Sequence, residues 1–186
     1  MNPQDFSSKY TVRRLVTKDT EIILKLNQSN PLYFKYCPPA ISRPTIRHDM
    51  TVVPPNKSKD DKYYLGFFDG DNLVAMMDLI AKYPDDITAW IGLFMVDAKY
   101  SGKGIGTKIF KEVLKTLKDD GFKQVELAYA KGNPQSEHFW VKNGFFKTGQ
   151  EEKEINHDYT AVVMGRFCRR RNKNEDCGYP RNYSNE

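Results

Sequence analysis

Apolar and polar residues are arranged along the chain in short, separate blocks, which predicts a domain that mixes strands and helices. Short blocks rich in β-branched and aromatic residues are typical of strands, whereas apolar residues spaced three and four apart are typical of helices. Strand blocks dominate the first half of the chain, where Asp69-Gly70-Asp71-Asn72 forms a clear hairpin turn. The predicted elements there are a short helix over residues 19–27 and strands over residues 10–16, 63–68, 73–81 and 88–96.

The period of the pattern changes after residue 96. Apolar residues of 105–117 fall on one face of a helix, lysines occupy the opposite face, and Gly121 is a suitable helix end. A strand over residues 122–130 follows and is predicted to lie parallel to strand 88–96, because a strand–helix–strand crossover joins parallel neighbours. The remaining elements are a helix that begins at Asn133-Pro134, with Phe139, Trp140 and Val141 facing inward, and an antiparallel strand pair over residues 145–154 and 159–167.

Residues 28–62 differ from the rest because they contain six prolines and little periodicity, so any helix there is expected to be short. Such a long irregular segment inside a compact domain is more often functional or mobile than idle. The segment also carries an aromatic group, Tyr33, Phe34 and Tyr36.

Length and composition favour one compact domain. The 186 residues, 39% of them hydrophobic and 13% aromatic, are enough for a single core without a metal or a disulfide. We therefore assign residues 1–167 to one domain and residues 168–186 to a charged, flexible C-terminal tail. The N-terminus lacks a signal-peptide pattern and no apolar run is long enough to span a membrane, so we expect a cytoplasmic protein that makes no membrane contact.

Cysteines, histidines and charge argue against metal and nucleic-acid binding. The three cysteines form no C-x-x-C pair and the three histidines match no zinc spacing, which predicts free thiols and no metal. The net charge of +5 arises partly in the tail, and no basic stripe is interleaved with aromatic residues, so no nucleic-acid partner is expected. We expect a monomer or a homodimer.

Three glycines follow an apolar strand and lead directly into the amphipathic helix. Gly102, Gly104 and Gly106 let backbone N–H groups crowd around a ligand, and the first helical turn adds unpaired N–H groups and the positive end of the helix dipole. Such a cradle suits a phosphate or pyrophosphate, with Lys103 and Lys108 as additional charges. The spacing fits neither a Walker loop nor a dinucleotide-binding G-x-G-x-x-G. The alternative is that the glycines only build a tight turn.

Two motifs together resemble the GNAT superfamily of N-acetyltransferases. The segment Ser101-Gly-Lys-Gly104-Ile-Gly106 is similar to the family's pyrophosphate motif, Gln/Arg-x-x-Gly-x-Gly/Ala. The segment from Asn133 through His138-Phe-Trp-Val-Lys-Asn-Gly-Phe145 is similar to the family's Asn…Phe-Tyr-x-Lys-x-Gly-Phe. The order of predicted elements over residues 10–167 also matches. The resemblance implies an α/β fold of the mixed α+β type, with a central, mostly antiparallel twisted sheet, a parallel splayed strand pair and helices on both faces.

The resemblance also implies an activity, the transfer of an acetyl group from acetyl-CoA to the primary amine of an acceptor by direct attack. Acetyl-CoA, the acyl-donor substrate, is expected between the two diverging parallel strands, and the tetrahedral intermediate beside the backbone amides of Met95 and Val96. The backbone of Phe94, Met95 and Val96 is expected to pair with the pantetheine arm, and Asn133 is expected to contact the CoA arm. The residues expected to hold the pyrophosphate are Ser101, Gly102, Lys103, Gly104, Ile105, Gly106 and Thr107.

Two positions depart from the family pattern. Ser101 stands where Gln or Arg is usual, and we expect little loss of affinity because backbone amides do most of the phosphate binding. Trp140 stands where many relatives carry a tyrosine that protonates the leaving thiolate. An indole N–H donates a hydrogen bond but is no useful acid, so the thiolate either leaves unprotonated or takes a proton from water. We therefore interpret Trp140 as a core residue in preference to a catalytic one.

The general base is predicted from acidic residues in apolar strands. Asp78 lies in the apolar run Met76-Met77-Asp78-Leu79-Ile80, where burial would raise its pKa into a useful range, or else it faces solvent. Glu126 is a comparable candidate in the strand of residues 122–130. Asp97 is assigned to a turn and His138 to the surface.

The acceptor pocket is predicted to be walled by Tyr33, Phe34, Tyr36 and Trp90. The acceptor itself stays open among a small amine, an amino acid, an antibiotic amine and a protein amino group. Two alternative functions are a CoA-binding module without turnover, which would act as a sensor or interaction protein, and nucleic-acid binding by the basic tail.

Overall fold

A computed structural model describes residues 1–153 and 159–168. The predicted tail falls outside the described residues except for Cys168, and so does Glu154, the last residue of a predicted strand. Within the described part of the chain, no helix is long and apolar enough to cross a membrane.

Among the described residues, seven strands form one sheet, in the order β1-β2-β3-β4-β5-β7-β6. Neighbouring strands are antiparallel except for β4 and β5, which are parallel as the crossover predicted. The last strand, β7, inserts between β5 and β6, so β6 lies at the edge. The strands are β1 (Thr11–Arg14), β2 (Lys62–Asp69), β3 (Asn72–Ala81), β4 (Thr88–Val96), β5 (Gln124–Ala130), β6 (Phe146–Lys153) and β7 (Thr160–Phe167).

The described residues include five α-helices, and the local sequence explains where the last of them begins. In the last helix, Pro134 occupies the first turn and the Asn133 side chain accepts hydrogen bonds from the N–H groups of Gln135 and Ser136, both at 3.1 Å. The proline-rich segment forms two short helices, as predicted. The helices are α1 (Thr20–Gln28), α2 (Pro31–Tyr36), α3 (Arg43–Asp49), α4 (Ile105–Asp119) and α5 (Pro134–Lys142).

Two apolar cores lie on opposite faces of the sheet, because successive strand residues point to opposite sides. Leu65 and Phe67 of β2 join the core that holds Phe110 of α4. Tyr64 and Phe68 join the second core, which contains Ile23 of α1. Helices therefore cover both faces, as the fold class predicts.

The prediction that Val141 faces inward is wrong. Val141 is 53% exposed, whereas its neighbour Trp140 is 7% exposed. Each residue of an α-helix is rotated by about 100° from the one before it, so consecutive residues do not all point at the same core.

Candidate active site

The strands β4 and β5 separate part-way along their length. Their parallel ladder pairs Thr88–Ile91 with residues 124–127 and extends no further in either strand. Beyond it, Phe94, Met95 and Val96 stay hydrogen-bonded to β3 on one side and leave their other edge facing a gap. Gly92 lies at an irregularity of the β3–β4 ladder, where Asp78 pairs with Leu93 and Leu79 pairs with Ile91. The divergence predicted from the resemblance is therefore present in the sheet.

A cleft of about 380 Å³ lies where β4 ends and α4 begins, and we call it the glycine cleft. Backbone and side-chain atoms from three elements line it: the end of β4, the loop with the first turn of α4, and one side of α5. Of the predicted acetyl-CoA residues, those that line it are Phe94, Met95, Val96, Ser101, Gly102, Gly104, Ile105, Gly106 and Thr107.

The first turn of α4 presents unpaired N–H groups to the glycine cleft. Helical hydrogen bonding begins with the Lys108 N–H, which donates to the Gly104 carbonyl at 3.1 Å, so the N–H groups of residues 105–107 precede the first helical bond. Gly102 and Gly104 have φ values of +74° and +71°, and nothing lies within 4 Å of the position a Cβ would take. These two glycines are needed for backbone conformation and leave the cleft open above them.

Gly106 has a different role, because a Cβ there would lie 3.2 Å from Phe139 Cε2 and 3.3 Å from Val96 Cγ2. Its missing side chain lets α4 approach α5 and β4. The Asn143 amide strengthens that contact by donating to the Phe139 carbonyl at 2.8 Å and to Thr107 Oγ1 at 3.4 Å. The cleft walls are thereby fixed to one another.

The charged residues near the loop are placed differently from expectation. Lys103 turns its ammonium back to the Lys99 carbonyl at 3.0 Å and is not among the residues that line the glycine cleft. His138 and Lys142, one helical turn apart on α5, do line it. The prediction that His138 lies at the surface is confirmed, since it is exposed. Sequence reasoning gave neither His138 nor Lys142 a role in the cleft, although their i, i+4 spacing beside a recognised motif was a usable signal. Asp97 caps a turn as predicted, since its Oδ1 accepts from the Lys99 N–H at 3.0 Å.

A second cavity, of about 230 Å³, lies in the gap between β4 and β5, and we call it the aromatic cavity. Its walls come from α2, β4, β5, the start of α5 and the beginning of β7. The predicted pocket residues Tyr33 and Trp90 line it, and Phe34 and Tyr36 do not. Phe34 packs edge-to-face on Tyr33 with ring centroids 5.1 Å apart, so it supports the wall from behind. Asn133, the cap of α5, also lines this cavity and not the glycine cleft.

The two cavities share four lining residues, Tyr33, Phe94, Ser136 and Trp140, and we call this boundary the junction. Tyr33 brings a phenolic hydroxyl to it. Burial, reinforced by a hydrogen bond to Cys37, raises the pKa of Tyr33 well above its ordinary value, which keeps the phenol protonated and able to donate. The junction therefore carries hydrogen-bond donors where the two cavities meet.

Trp140 is a packed core residue that also reaches the junction. Its ring lies 4.9 Å from that of Phe139, 5.1 Å from Phe145 and 5.2 Å from Phe110, all edge-to-face. Such contacts hold the indole in one orientation. The core interpretation of Trp140 is confirmed by its 7% exposure.

The end of α1 is tied to the end of β4. The Asn30 side-chain amide donates to the Val96 carbonyl at 3.0 Å and to the Leu26 carbonyl at 3.0 Å. Ser29 Oγ accepts from the Ala98 N–H at 3.1 Å. These contacts place α2, and with it Tyr33, over the divergent strands.

Asp78 is half-buried beside the aromatic cavity without lining it. Its Oδ2 accepts from the Lys62 ammonium at 2.7 Å, and Lys62 is only 3% exposed. Its Oδ1 is buried and has no hydrogen-bond partner among the described residues. Burial raises the pKa of Asp78, against the opposing effect of Lys62. Gly92 separates the carboxylate from the cavity, since a Cβ on Gly92 would lie 3.2 Å from Asp78 Oδ2.

Glu126 is also buried, at 6% exposure, and lines neither cavity. Its Oε1 accepts a hydrogen bond from the Gln124 side chain. Of the two predicted bases, Asp78 is therefore the one that lies directly behind a cavity-lining residue. Among the described residues, no group of three or more histidine, cysteine or acidic side chains is placed to hold a metal ion.

The family model described as the acetyltransferase (GNAT) family matches residues 28–145. The match spans more than half of the chain, and the chain belongs to this family. The resemblance inferred from the two motifs is thus confirmed. No curated protein sequence matches the chain.

Solved structures with the same fold cover nearly the whole chain. The spermidine N-acetyltransferase from Vibrio cholerae, solved with CoA and spermine, is 20% identical, with 87% of this chain and 96% of that chain covered and a TM-score of 0.63. The ribosomal-protein-S18-alanine N-acetyltransferase from Escherichia coli is 14% identical, with 89% and 98% covered and a TM-score of 0.62. The PaiA N-acetyltransferase from Thermoplasma acidophilum, solved with coenzyme A, is 19% identical, with 84% and 98% covered and a TM-score of 0.58. These likenesses support the GNAT fold.

Proposed function

We propose that this protein transfers an acetyl group from acetyl-CoA to the primary amine of an acceptor by direct attack on the thioester. The observation that carries the proposal is a phosphate-suited cleft at the start of α4 that meets a second cavity between diverging parallel strands. Membership of the GNAT family supports it, as do neighbours of the same fold solved with CoA.

The residues of the glycine cleft fit CoA chemistry. Residues 101–107 combine left-handed glycines, an open surface and the positive end of a helix, which suits a pyrophosphate. The gap-facing backbone edge of Phe94, Met95 and Val96 is open to an extended pantetheine arm, except at the Val96 carbonyl, which accepts from Asn30. Lys142 and His138 add donors along α5 for the remaining phosphate or the adenosine. The Asn133 side-chain oxygen already caps α5, so any contact of Asn133 with CoA would be made from the side of the aromatic cavity.

Acetyl-CoA supplies an acyl group on a good leaving group. In direct attack, the amine nitrogen bonds to the acyl carbon, the carbon–sulfur bond breaks, and the nitrogen gives up a proton. The Tyr33 and Ser136 hydroxyls and the Trp140 indole N–H are the side-chain donors at the junction, and we assign Tyr33 to the departing sulfur because a phenol is a stronger acid than an alcohol or an indole N–H. We assign the proton of the attacking amine to Asp78, relayed by one water past Gly92 because the carboxylate lines neither cavity, and its raised pKa suits a base.

A second candidate is a CoA-binding protein without turnover. The observation that favours it is the ion pair between Asp78 and Lys62, which holds the better-placed base candidate in a structural contact. The two candidates agree on the glycine cleft and differ only in whether an amine is acetylated.

The glycine cleft is tested by calorimetric titration of the protein with acetyl-CoA beside a Gly104→Glu variant. The variant places a carboxylate and a strained left-handed residue under the pyrophosphate, and we expect it to lose at least about 2 kcal/mol of binding, or roughly thirtyfold in affinity. Gly70→Glu is the matched control, because Gly70 also has positive φ (+56°) and open space around its Cβ position, but lies in the β2–β3 hairpin.

Native binding that survives in Gly70→Glu and fails in Gly104→Glu supports the site. Failure of native protein to bind acetyl-CoA contradicts both candidates. Once binding is established, amine-dependent release of the CoA thiol distinguishes an acetyltransferase from a CoA-binding protein without turnover.

A further inference from the structure

Asn30 lies between α1 and α2 and lines the glycine cleft. It directly precedes α2, a position at which an asparagine side chain usually accepts a hydrogen bond from the second or third N–H of the helix. The Asn30 side chain makes no such bond. Its amide is turned instead toward the backbone at the end of β4, which is the strand whose edge faces the gap.

The Asn30 side-chain amide is held in one orientation. Its Nδ2 donates to the Val96 carbonyl at 3.0 Å and to the Leu26 carbonyl at 3.0 Å, and it lies 3.1 Å from Ser29 Oγ. A flipped amide would place an oxygen against both carbonyl oxygens, and neither of these can donate a hydrogen bond. The hydrogen-bond network therefore fixes Nδ2 toward the carbonyls and Oδ1 away from them.

The Oδ1 atom is the polar atom of Asn30 that has no hydrogen-bond partner among the described residues. The backbone N–H of Asn30 donates to the Asn27 carbonyl at 2.9 Å, and its backbone carbonyl accepts from the Tyr33 N–H at 3.1 Å. Asn30 is half-buried, and its Oδ1 reaches the accessible surface, whereas the unpartnered Asp78 Oδ1 is fully buried. What Asn30 offers to the glycine cleft is thus a hydrogen-bond acceptor.

The place of this acceptor follows from the strand beside it. The Asp97 N–H donates to the Val74 carbonyl of β3 at 2.9 Å, and successive residues of a strand direct their backbone groups to opposite sides, so those of Val96 face the gap. A ligand extended along this edge would meet the Val96 carbonyl as an acceptor, but that carbonyl already accepts from Asn30. Asn30 presents its own amide oxygen next to it.

We propose that Asn30 is a further acetyl-CoA-binding residue, and that its Oδ1 accepts a hydrogen bond from an amide N–H of the pantetheine arm. The arm carries two amide N–H groups, and each needs an acceptor when it leaves water. Because the contact belongs to the same donor site, it rests on the proposed function. It gives the arm a side-chain partner that lies outside both sequence motifs, while the pyrophosphate stays with the backbone N–H groups at the start of α4.

The test is a double-mutant cycle between this residue and the ligand. Calorimetry measures Kd for acetyl-CoA and for two analogues, in each of which one pantetheine amide N–H is replaced by a methylene group. We expect native protein to prefer acetyl-CoA over one of the analogues by about fivefold, the worth of one neutral hydrogen bond, and Asn30→Ala to lose that preference. A mere displacement of α2 would weaken all three ligands by the same factor and would leave the preference in place.

Ser29→Ala is the matched control. It removes the neighbouring tie between α1 and the segment after β4, in which Ser29 Oγ accepts from the Ala98 N–H at 3.1 Å, and Ser29 does not line the glycine cleft. The control should keep the native preference. If native protein shows no preference, if Asn30→Ala keeps it, or if Ser29→Ala abolishes it as well, the inference is overturned while the proposed function stands. If native protein binds none of the three ligands, the proposed function fails and the inference fails with it.

Discussion

The glycine cleft and the aromatic cavity are built from different parts of the polypeptide. The glycine cleft offers mainly backbone N–H groups, left accessible by two left-handed glycines and by the start of α4. The aromatic cavity is lined instead by residues of five separate elements. The first arrangement suits a ligand with a constant anionic group, and the second suits a ligand whose shape and polarity differ from one protein to another.

This difference explains why the glycine cleft was predicted from the sequence almost completely, whereas the aromatic cavity was predicted only at Tyr33 and Trp90. A backbone site is encoded by a contiguous run in which each glycine has a conformational or a packing reason, so residues 101–107 are recognisable from the amino-acid sequence alone. The aromatic cavity depends on which strand edges meet, and Tyr33 and Tyr159 are far apart in the chain. Its composition becomes apparent only when β7 has been placed beside β5.

The largest expected effect concerns Asp78, which lies outside both cavities. The Asp78→Asn variant leaves the buried Lys62 without an anion, and we expect it to lose roughly 3 kcal/mol of unfolding free energy. The double variant Lys62→Met/Asp78→Leu removes both charges and is expected to recover that stability, while turnover stays about a hundredfold below native. Urea unfolding and thiol-release kinetics measure the two effects.

The pH dependence gives an independent readout of the same group. A base works only when ionised, so the native rate falls as the pH drops through the folded pKa of Asp78. Because burial raises that pKa, the fall begins at a higher pH than the value near 4 of an ordinary aspartate would give. The double variant is expected to show no such fall in rate at low pH. If a stable double variant turned over at the native rate, the Asp78–Lys62 pair would have only a structural role.

The next largest effect concerns the junction, where Tyr33 lines both cavities. Tyr33→Phe removes only the hydroxyl, and we expect kcat to fall about tenfold, since one hydrogen bond to a developing charge is worth about 1.5 kcal/mol or more. The acetyl-CoA affinity and the acceptor KM should change by less than about threefold. If Tyr33→Phe weakened the acetyl-CoA or the acceptor affinity by as large a factor as it lowered kcat, Tyr33 would only line the cavities and would have no part in the chemical step.

The smallest effect sharpens the account of the glycine cleft. Ser101→Gln restores the residue type that the family motif favours, and we expect the Kd for acetyl-CoA to change by less than about threefold, because the backbone supplies most of the phosphate contacts. Calorimetry measures it directly. A tenfold gain in affinity would show that the side chain at this position, and not only the backbone, determines binding.

Most of the fold could be predicted because its signals are local. The strand Thr88–Val96 was predicted to the residue, and the crossover through α4 was enough to make β4 and β5 parallel. The irregularity at Gly92 and the insertion of β7 between β5 and β6 had no local signal, since both depend on pairing between distant segments. Val141 was misplaced because inward orientation was extended to three consecutive helical residues.

The candidate site shows the same limit. The run from Ser101 to Thr107 could be read directly, but the partner of Asp78 could not, because Lys62 lies on another strand and reaches it only through the β2–β3 register. The cap contacts of Asn133 follow from its position before Pro134, whereas the placement of its side chain beside the aromatic cavity follows from the divergence of β4 and β5.

The junction also has a thermodynamic consequence. Tyr33, Phe94, Ser136 and Trp140 form a wall common to both cavities, so a ligand that shifts this wall changes the free energy of binding on its other side. Linkage requires that coupling to be reciprocal: the factor by which the acyl donor alters amine affinity equals the factor by which the amine alters donor affinity. A substitution in this wall therefore changes the coupling between acyl donor and amine by the same factor for both ligands. An apparent order of substrate addition then reflects the rates at which the two substrates enter and leave, and not their affinities.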